Sequence, residues 1–248
     1  MAVSRISYEI ARQLPLPPEE MRPTAIIQAR MGSERLPGKV LMQLGEKQVL
    51  EHLVDRVSRA EGVGRILIAT TDLEPDNAIA AFATARGVGL FRGDSSDVLL
   101  RYVEAASADS SPAVLRITGD CPLIDPAVIS AVVGAWWNNG DPYDYGGNTL
   151  ERTFPDGMDA EVMTLETLGR LDKQSVGIDR EHVTSSLIRD PEPFRCINIE
   201  YSRYLADIRM TIDTDDDLAK LRWVVREAAA RNPGFTLNDL LVVEGYGG

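Results

Sequence analysis

From Thr24 onward the chain alternates short runs of β-branched and apolar residues with longer stretches of helical period. The strand-like runs are TAIIQAR (24–30), RILIATT (65–71), VGLF (88–91) and AVLRITG (113–119), with helix-like stretches over 49–59, 77–86 and 96–108 between them. Parallel strands need long crossovers, which helices usually supply, so this alternation predicts an α/β fold: a mostly parallel, Rossmann-like sheet with helices on both faces. In such sheets ligands sit over the carboxyl ends of the strands.

Beyond Pro126 the order is less regular. A helix over 127–137 carries Trp136 and Trp137, read as core or dimer interface rather than as a stacking platform for a base. The polar stretch NNGDPYDYGGNTLERTFPDGMDAEV then ends in an alternating run suited to a strand or hairpin. The region around 139–200 is expected to form a small inserted β subdomain carrying acceptor loops or a dimer contact. Residues 177–189 read as helix, CINIE (196–200) as a strand and DDLAKLRWVVREAAAR as a terminal helix, with Asp215, Asp216 and Asp217 in its first turn, where the helix dipole favours negative charge. Residues 1–23, with LPLPPEEMRP, read as an N-terminal extension, a short helix and a proline-stiffened tail, before a single domain over 24–248.

The chain holds 38 acidic and 26 basic residues, a net charge of -12, which argues against a protein built to grip nucleic acid or an anionic membrane. No apolar run approaches the roughly 18 residues of a spanning helix, and the first residues lack the apolar segment of a secretory signal. Cys121 and Cys196 show neither CxxC nor Cys/His spacing. A reducing cytoplasmic location is the expectation.

Against this acidic background, ARMGSERLPGK (29–39) concentrates cations in the turn after the first strand. Gly32, Ser33 and Gly38 permit close approach of backbone N–H groups to a phosphate, and Arg30, Arg35 and Lys39 can balance a triphosphate. The turn is not a Walker A loop: five residues separate Gly32 from Gly38, and Val40 follows Lys39. The plain alternative is an ordinary strand-to-helix turn with solvated charges.

IIQARMGSERLPGKVL resembles the N-terminal signature of the cytidylyltransferases that activate sugars and sugar acids, closest to those of the spore-coat polysaccharide biosynthesis type and related to the Kdo and acylneuraminate enzymes. The resemblance continues through LFRGDSSDVLLRY, RITGDCPLIDP, RTFPDGMDAEV, EHVTSSL and RMTIDTDDDL. It implies a nucleotidyltransferase sheet, transfer of CMP from CTP with release of pyrophosphate, Mg2+ as cofactor, and a homodimer. It also implies a pyrimidine pocket read by backbone around Ala29 to Met31 and Thr70 to Asp72, with Gln28, Thr71 and Asp72 among the nucleotide-binding residues. Residue chemistry alone does not exclude UTP.

The chemistry needs a hard dication held by carboxylates and cations that stabilise charge moving onto the leaving pyrophosphate. Asp120 and Asp213 each follow a strand-like run and are the expected metal ligands, with Asp215 as a possible third; Asp120 alternatively caps a turn. Arg30, Lys39, Asp120 and Asp213 form the expected catalytic set. In-line attack at the α-phosphorus without a covalent enzyme intermediate would rest on positioning and electrostatics.

For a sugar-like acceptor, the candidates are Asn148, Arg152, Asp156, Asp159 and Glu161 in NTLERTFPDGMDAEV, with Arg116 and His182. Arg116 reads equally as a structural ion pair, and His182 equally as a satisfied helix histidine. A phosphate or phosphonate acceptor is an alternative. Two rivals differ in class: a nucleotide-sugar glycosyltransferase using Asp213-Thr-Asp215 as a DxD metal motif, and a catalytically silent nucleotide-binding homologue.

Overall fold

The computed structural model describes residues 3–246. Strands β1 (Ser4–Ser7), β2 (Thr24–Gln28), β5 (Ile66–Thr71), β6 (Gly89–Gly93), β7 (Ala113–Thr118), β8 (Tyr145–Gly147), β9 (Glu161–Thr164) and β10 (Cys196–Glu200) form one sheet in the order β1-β10-β8-β9-β7-β2-β5-β6. Only β9 runs antiparallel to its neighbours β7 and β8. A separate two-stranded hairpin, β3 (Gln43–Leu44) and β4 (Lys47–Gln48), follows the charged turn.

The helices are α1 (Tyr8–Ala11), α2 (Val49–Val57), α3 (Asn77–Arg86), α4 (Val98–Asp109), α5 (Pro126–Trp137), α6 (Leu165–Gln174), α7 (Ile178–Glu181), α8 (Ser185–Arg189), α9 (Asp215–Arg231) and α10 (Leu237–Val243). Side chains alternate across a strand, so β2 and β7 supply both faces. Ala25, Ile27, Leu115 and Ile117 pack with Leu50 and Leu53 of α2, Val128 and Val132 of α5 and Leu221 of α9. On the other face Ile26 and Val114 pack with Leu99 and Tyr102 of α4 and Leu168 of α6. Burial on both faces is why these strands read as continuous apolar runs.

Two regions differ from the sequence reading. Residues 139–200 extend the central sheet through β8, β9 and β10 rather than standing beside it as a subdomain. Their backbone groups pair with β7 and β1, and Gly146 and Gly147 leave room for Trp136 and the Tyr145 ring; a Cβ on Gly146 would lie 2.8 Å from Trp136 Cβ. The segment before Thr24 is tied into the fold, since β1 pairs in parallel with β10 from Ser4↔Ile197 to Ser7↔Glu200. Tyr8 then packs edge-on against Phe154 and beside Tyr201, with ring centroids at 5.4 and 5.8 Å. Trp136 is core, as expected, and Trp137 lies partly buried beside it.

Three strand ends meet at one edge of the sheet. Gln28 ends β2, Thr71 ends β5 and Thr118 ends β7, and Gln28 lies in register with Thr118. Gly119 donates to the Gln28 carbonyl at 2.9 Å, and a Cβ there would stand 2.6 Å from that oxygen. Glycine therefore lets the chain turn from β7 into Asp120 against the end of β2.

Candidate active site

The turn between Ala29 and Lys39 is held from below and from the side. Leu36 is buried under it, and Gly38, at φ +73°, donates to the Met31 carbonyl at 2.8 Å. Met31 N–H donates at 2.7 Å to Asp76, whose carboxylate also accepts from Thr70 Oγ1 at 2.9 Å, from Thr71 N–H at 3.0 Å and from Thr71 Oγ1. Burial works to raise Asp76; these bonds outweigh it and hold its carboxyl below the usual range. Asp76 thus ties the charged turn to the end of β5. It was missed in the sequence because an aspartate after Glu-Pro reads as a helix start, which it also precedes.

The centre of the site is Lys39. Its Nζ is enclosed by Asp120 Oδ2 at 3.3 Å, Asp213 Oδ1 at 2.9 Å and the Ile212 carbonyl at 2.6 Å. Asp213 is shared further with Arg35 at 3.0 Å and with Arg209. Burial pushes Asp213 up, but the lysine bond and the charges of Lys39, Arg35 and Arg209 prevail and hold it below the ordinary carboxylate value. The Ile212 N–H donates to the Asp120 carbonyl at 3.0 Å, which fixes the two carboxylate-bearing segments to each other.

Two cavities flank the turn and share Arg30. One, of about 420 Å3, has Gln28, Lys39, Arg116, Asp120, His182 and Asp213 in its wall. The other, of about 500 Å3, is lined by Met31, Gly32, Gly38, Thr71, Leu73 and Asp76 among others. Arg30 is held by Glu181 at 3.2 Å, a partner that escaped attention beside His182 in the EHVTSSL block. Ala29, Ser33 and Arg35 also border the first cavity, while Asp72 lies exposed past the end of β5, its N–H donating to the Gly93 carbonyl at 3.1 Å.

The acceptor candidates divide. Arg116 reaches the cavity wall yet pairs with Glu161, which is 2 % exposed and accepts from Tyr145 Oη at 2.7 Å and Thr149 Oγ1 at 3.2 Å. Burial works to raise Glu161, and Arg116 with the hydroxyl donors overrides it, keeping the carboxylate charged. Asn148 is also buried, donating to the Met158 carbonyl at 2.7 Å and accepting from Ala160 N–H at 3.0 Å. Asn148 and Glu161 therefore brace the sheet beneath the cleft. Arg152 meets Asp159 through two bonds at 2.9 and 2.6 Å, and Asp156 accepts from Thr211 at 3.3 Å, so this loop joins the segment carrying Asp213. Only His182 and Arg116 of the acceptor candidates line the cavity with Lys39.

Asp120 and Asp213 suit a hard divalent cation: two carboxylates lie near enough for one ammonium to bond both, and a small dication with few protein ligands takes phosphate oxygens and water for the rest. Asp215 does not join them. It is exposed in the first turn of α9, and among the described residues no three His, Cys, Asp or Glu side chains are grouped to hold a metal. Asp217 caps α9 instead, accepting from Thr214 N–H at 2.9 Å and Asp213 N–H at 3.0 Å. Asp213 thus faces Lys39, while Asp215, two residues on, faces solvent.

A mostly parallel sheet whose first turn presents arginines and a lysine to two carboxylates, Asp120 just past the end of β7 and Asp213 in the loop before α9, defines an α/β nucleotidyltransferase. The cytidylyltransferase family model matches residues 24–232, so the chain belongs to that family and is a CTP-using nucleotidyltransferase enzyme. It is 33 % identical over 226 residues to the spore coat polysaccharide biosynthesis protein SpsF of Bacillus subtilis, covering 88 % of this chain and 92 % of the relative. A 3-deoxy-manno-octulosonate cytidylyltransferase of Anaeromyxobacter dehalogenans is 39 % identical over 112 residues, 44 % of this chain and 45 % of that protein. Among solved structures, a cytidylyltransferase from Leptospira borgpetersenii superposes with a TM-score of 0.84 at 31 % identity, covering 91 % of this chain and 94 % of that one.

Proposed function

We propose that the enzyme transfers CMP from CTP to a sugar-acid-like acceptor with Mg2+ bound at Asp120 and Asp213. The observation that carries this reading is the Lys39 ammonium between those two carboxylates, with Arg35 bonded to one of them and Arg30 in the wall of the same cavity. Arg30, Arg35 and Lys39 hold the triphosphate, and Gly32, Ser33 and their neighbours let its oxygens approach the backbone. The cavity of Met31 and Thr71 takes the cytidine, with Gln28 and Ala29 in the adjoining cavity across Arg30 and Asp72 next in the chain after Thr71. Bound magnesium would supply neutralisation of phosphate charge.

The acceptor enters on the side of Arg116 and His182, with the Arg152–Asp159 pair and Asp156 on the adjoining loop. Attack at the α-phosphorus is in line and direct, so the protein contributes alignment and fixed positive charge rather than a covalent intermediate. A sugar-acid acceptor is supported by the octulosonate-activating relative. Assembly as a homodimer belongs to the same proposal and is tested by sedimentation. Among the described residues no helix is long and apolar enough to cross a membrane.

Calorimetric titration with CTP, UTP, GTP and ATP in magnesium, repeated with chelator, tests the donor half. Metal-dependent binding selective for CTP is the expected result, and it opens a screen of sugar-acid acceptors by pyrophosphate release. Equal binding of UTP, or binding indifferent to chelator, overturns the base pocket or the metal assignment respectively.

A further inference from the structure

A cavity larger than either of those beside the charged turn lies away from this cleft. It has a volume of about 780 Å3 and opens between the β3–β4 turn, the second half of α2 and the second half of α9. At 1.5 Å per residue, the α9 segment from the Asp217 cap to Val225, where the cavity wall begins, spans roughly 12 Å, and no residue of this wall lines the cavity of Lys39, Asp120 and Asp213.

Its charge is unlike that of the molecule. Arg56 is 2 % exposed, stacks on Phe235 at 4.2 Å, and donates only to carbonyls, of Ile124 at 3.5 Å and Phe235 at 3.3 Å. Among the described residues no carboxylate lies within ion-pairing distance of Arg56 or of Arg59 at the rim, and Arg226 pairs only with its chain neighbour Glu227. Two carboxylates also border the cavity: Asp55, already taken up by Lys47 and Arg86, and Glu46, exposed on the β3–β4 turn. Burial lowers Arg56 to about 10, with Arg59 adding to the fall, so it remains a cation at neutral pH. Asp125 opposes that fall from beyond contact distance; a buried guanidinium with no carboxylate in direct contact is costly, and an anion entering from outside relieves part of that cost. The opposite wall is apolar, from Val225, Ala229 and Pro233.

We propose that this cavity is a second ligand site, for a small organic anion carrying a flat apolar body: the anionic group meets Arg56, Arg59 and Arg226, and the body lies along Phe235 and the α9 wall. The site does not depend on the reading of the catalytic cleft. It touches both elements that frame that cleft, since the β3–β4 hairpin follows Lys39 directly and its Gln43 carbonyl accepts from Arg222 of α9 at 3.0 Å.

The probe 1-anilinonaphthalene-8-sulfonate, a sulfonate on fused and single aromatic rings, has this chemistry, and its fluorescence reports binding. Arg59→Glu and Arg226→Glu alter exposed residues, and Ala230→Trp narrows the mouth from the exposed side of α9. The expected result is saturable binding by the wild-type protein, weakened about tenfold or more in each variant. Unfolding midpoints measured without probe stay unchanged. Asp120→Ala binds the probe normally and CTP does not displace it. Unchanged affinity in the three variants, displacement by CTP, or loss of binding in Asp120→Ala would each overturn the proposal.

Discussion

Lys39 is a lysine nine-tenths buried whose ammonium contacts two carboxylates and a carbonyl. Such a group is worth more to a transition state that gathers negative charge than to the resting fold. Lys39→Ala and Asp120→Ala are each expected to lower turnover by about 10²-fold or more, read by pyrophosphate release, while circular dichroism remains native. Wild-type turnover in either variant removes that residue from the catalytic set. Asp213 has the opposite signature, a titration coupled to folding. Its folded carboxyl lies below the ordinary value near 3.9, so its contribution to stability is complete above that value and is lost as pH falls through the folded one. Asp213→Asn should therefore show a shallower loss of stability between about pH 4 and pH 2 than wild type, measured by urea unfolding across that range. An identical acid limb in the variant would show that Asp213 is not depressed.

At the scale of elements, the legible strands were those buried on both faces. Runs such as AIIQ and AVLRIT left no polar face to confuse the pattern. The stretch over 177–189 was expected as one helix and is two, α7 and α8, broken where the buried Val183 takes a left-handed φ of +51°. A β-branched residue pays steric strain there, and neighbouring contacts must hold it: Val183 is packed in the buried core cluster that includes Met163 of β9. No local pattern could report that, because the cause lies some twenty residues away in β9. The pair Arg116–Glu161 was legible as residues but not as a pair, since the antiparallel register that sets them opposite each other comes only with the sheet. Glu161→Ala, leaving Arg116 buried without its carboxylate, should cost about 3–5 kcal/mol by denaturant unfolding. Arg116→Met combined with Glu161→Leu should recover most of it. If the double variant is no better than the single, the pair does more than neutralise itself.

The whole molecule is one eight-stranded sheet, and its least legible part is its edge. SRIS is four residues long and half exposed, so its strand character depends on the β10 edge it completes. Tyr8, packed against Phe154 and Tyr201, anchors that edge, and Tyr8→Ala should cost about 3 kcal/mol. Deleting residues 1–7 uncovers the unpaired side of β10. The expected outcome is a lower unfolding midpoint and concentration-dependent light scattering; a deletion variant as stable and as monodisperse as the full chain would make β1 dispensable.

That edge also orders events at birth. Ser4 leaves the ribosome well before its partner Ile197, which follows roughly 190 residues later. At about 5–20 residues per second, β1 waits on the order of ten to forty seconds with no strand to join, while β2, β5 and β7 can already assemble through their local crossovers. Of the described strands of this sheet, the earliest in the sequence is thus among the last to be placed. In a newly made chain, the catalytic strand ends can be aligned before the far side of the sheet is closed.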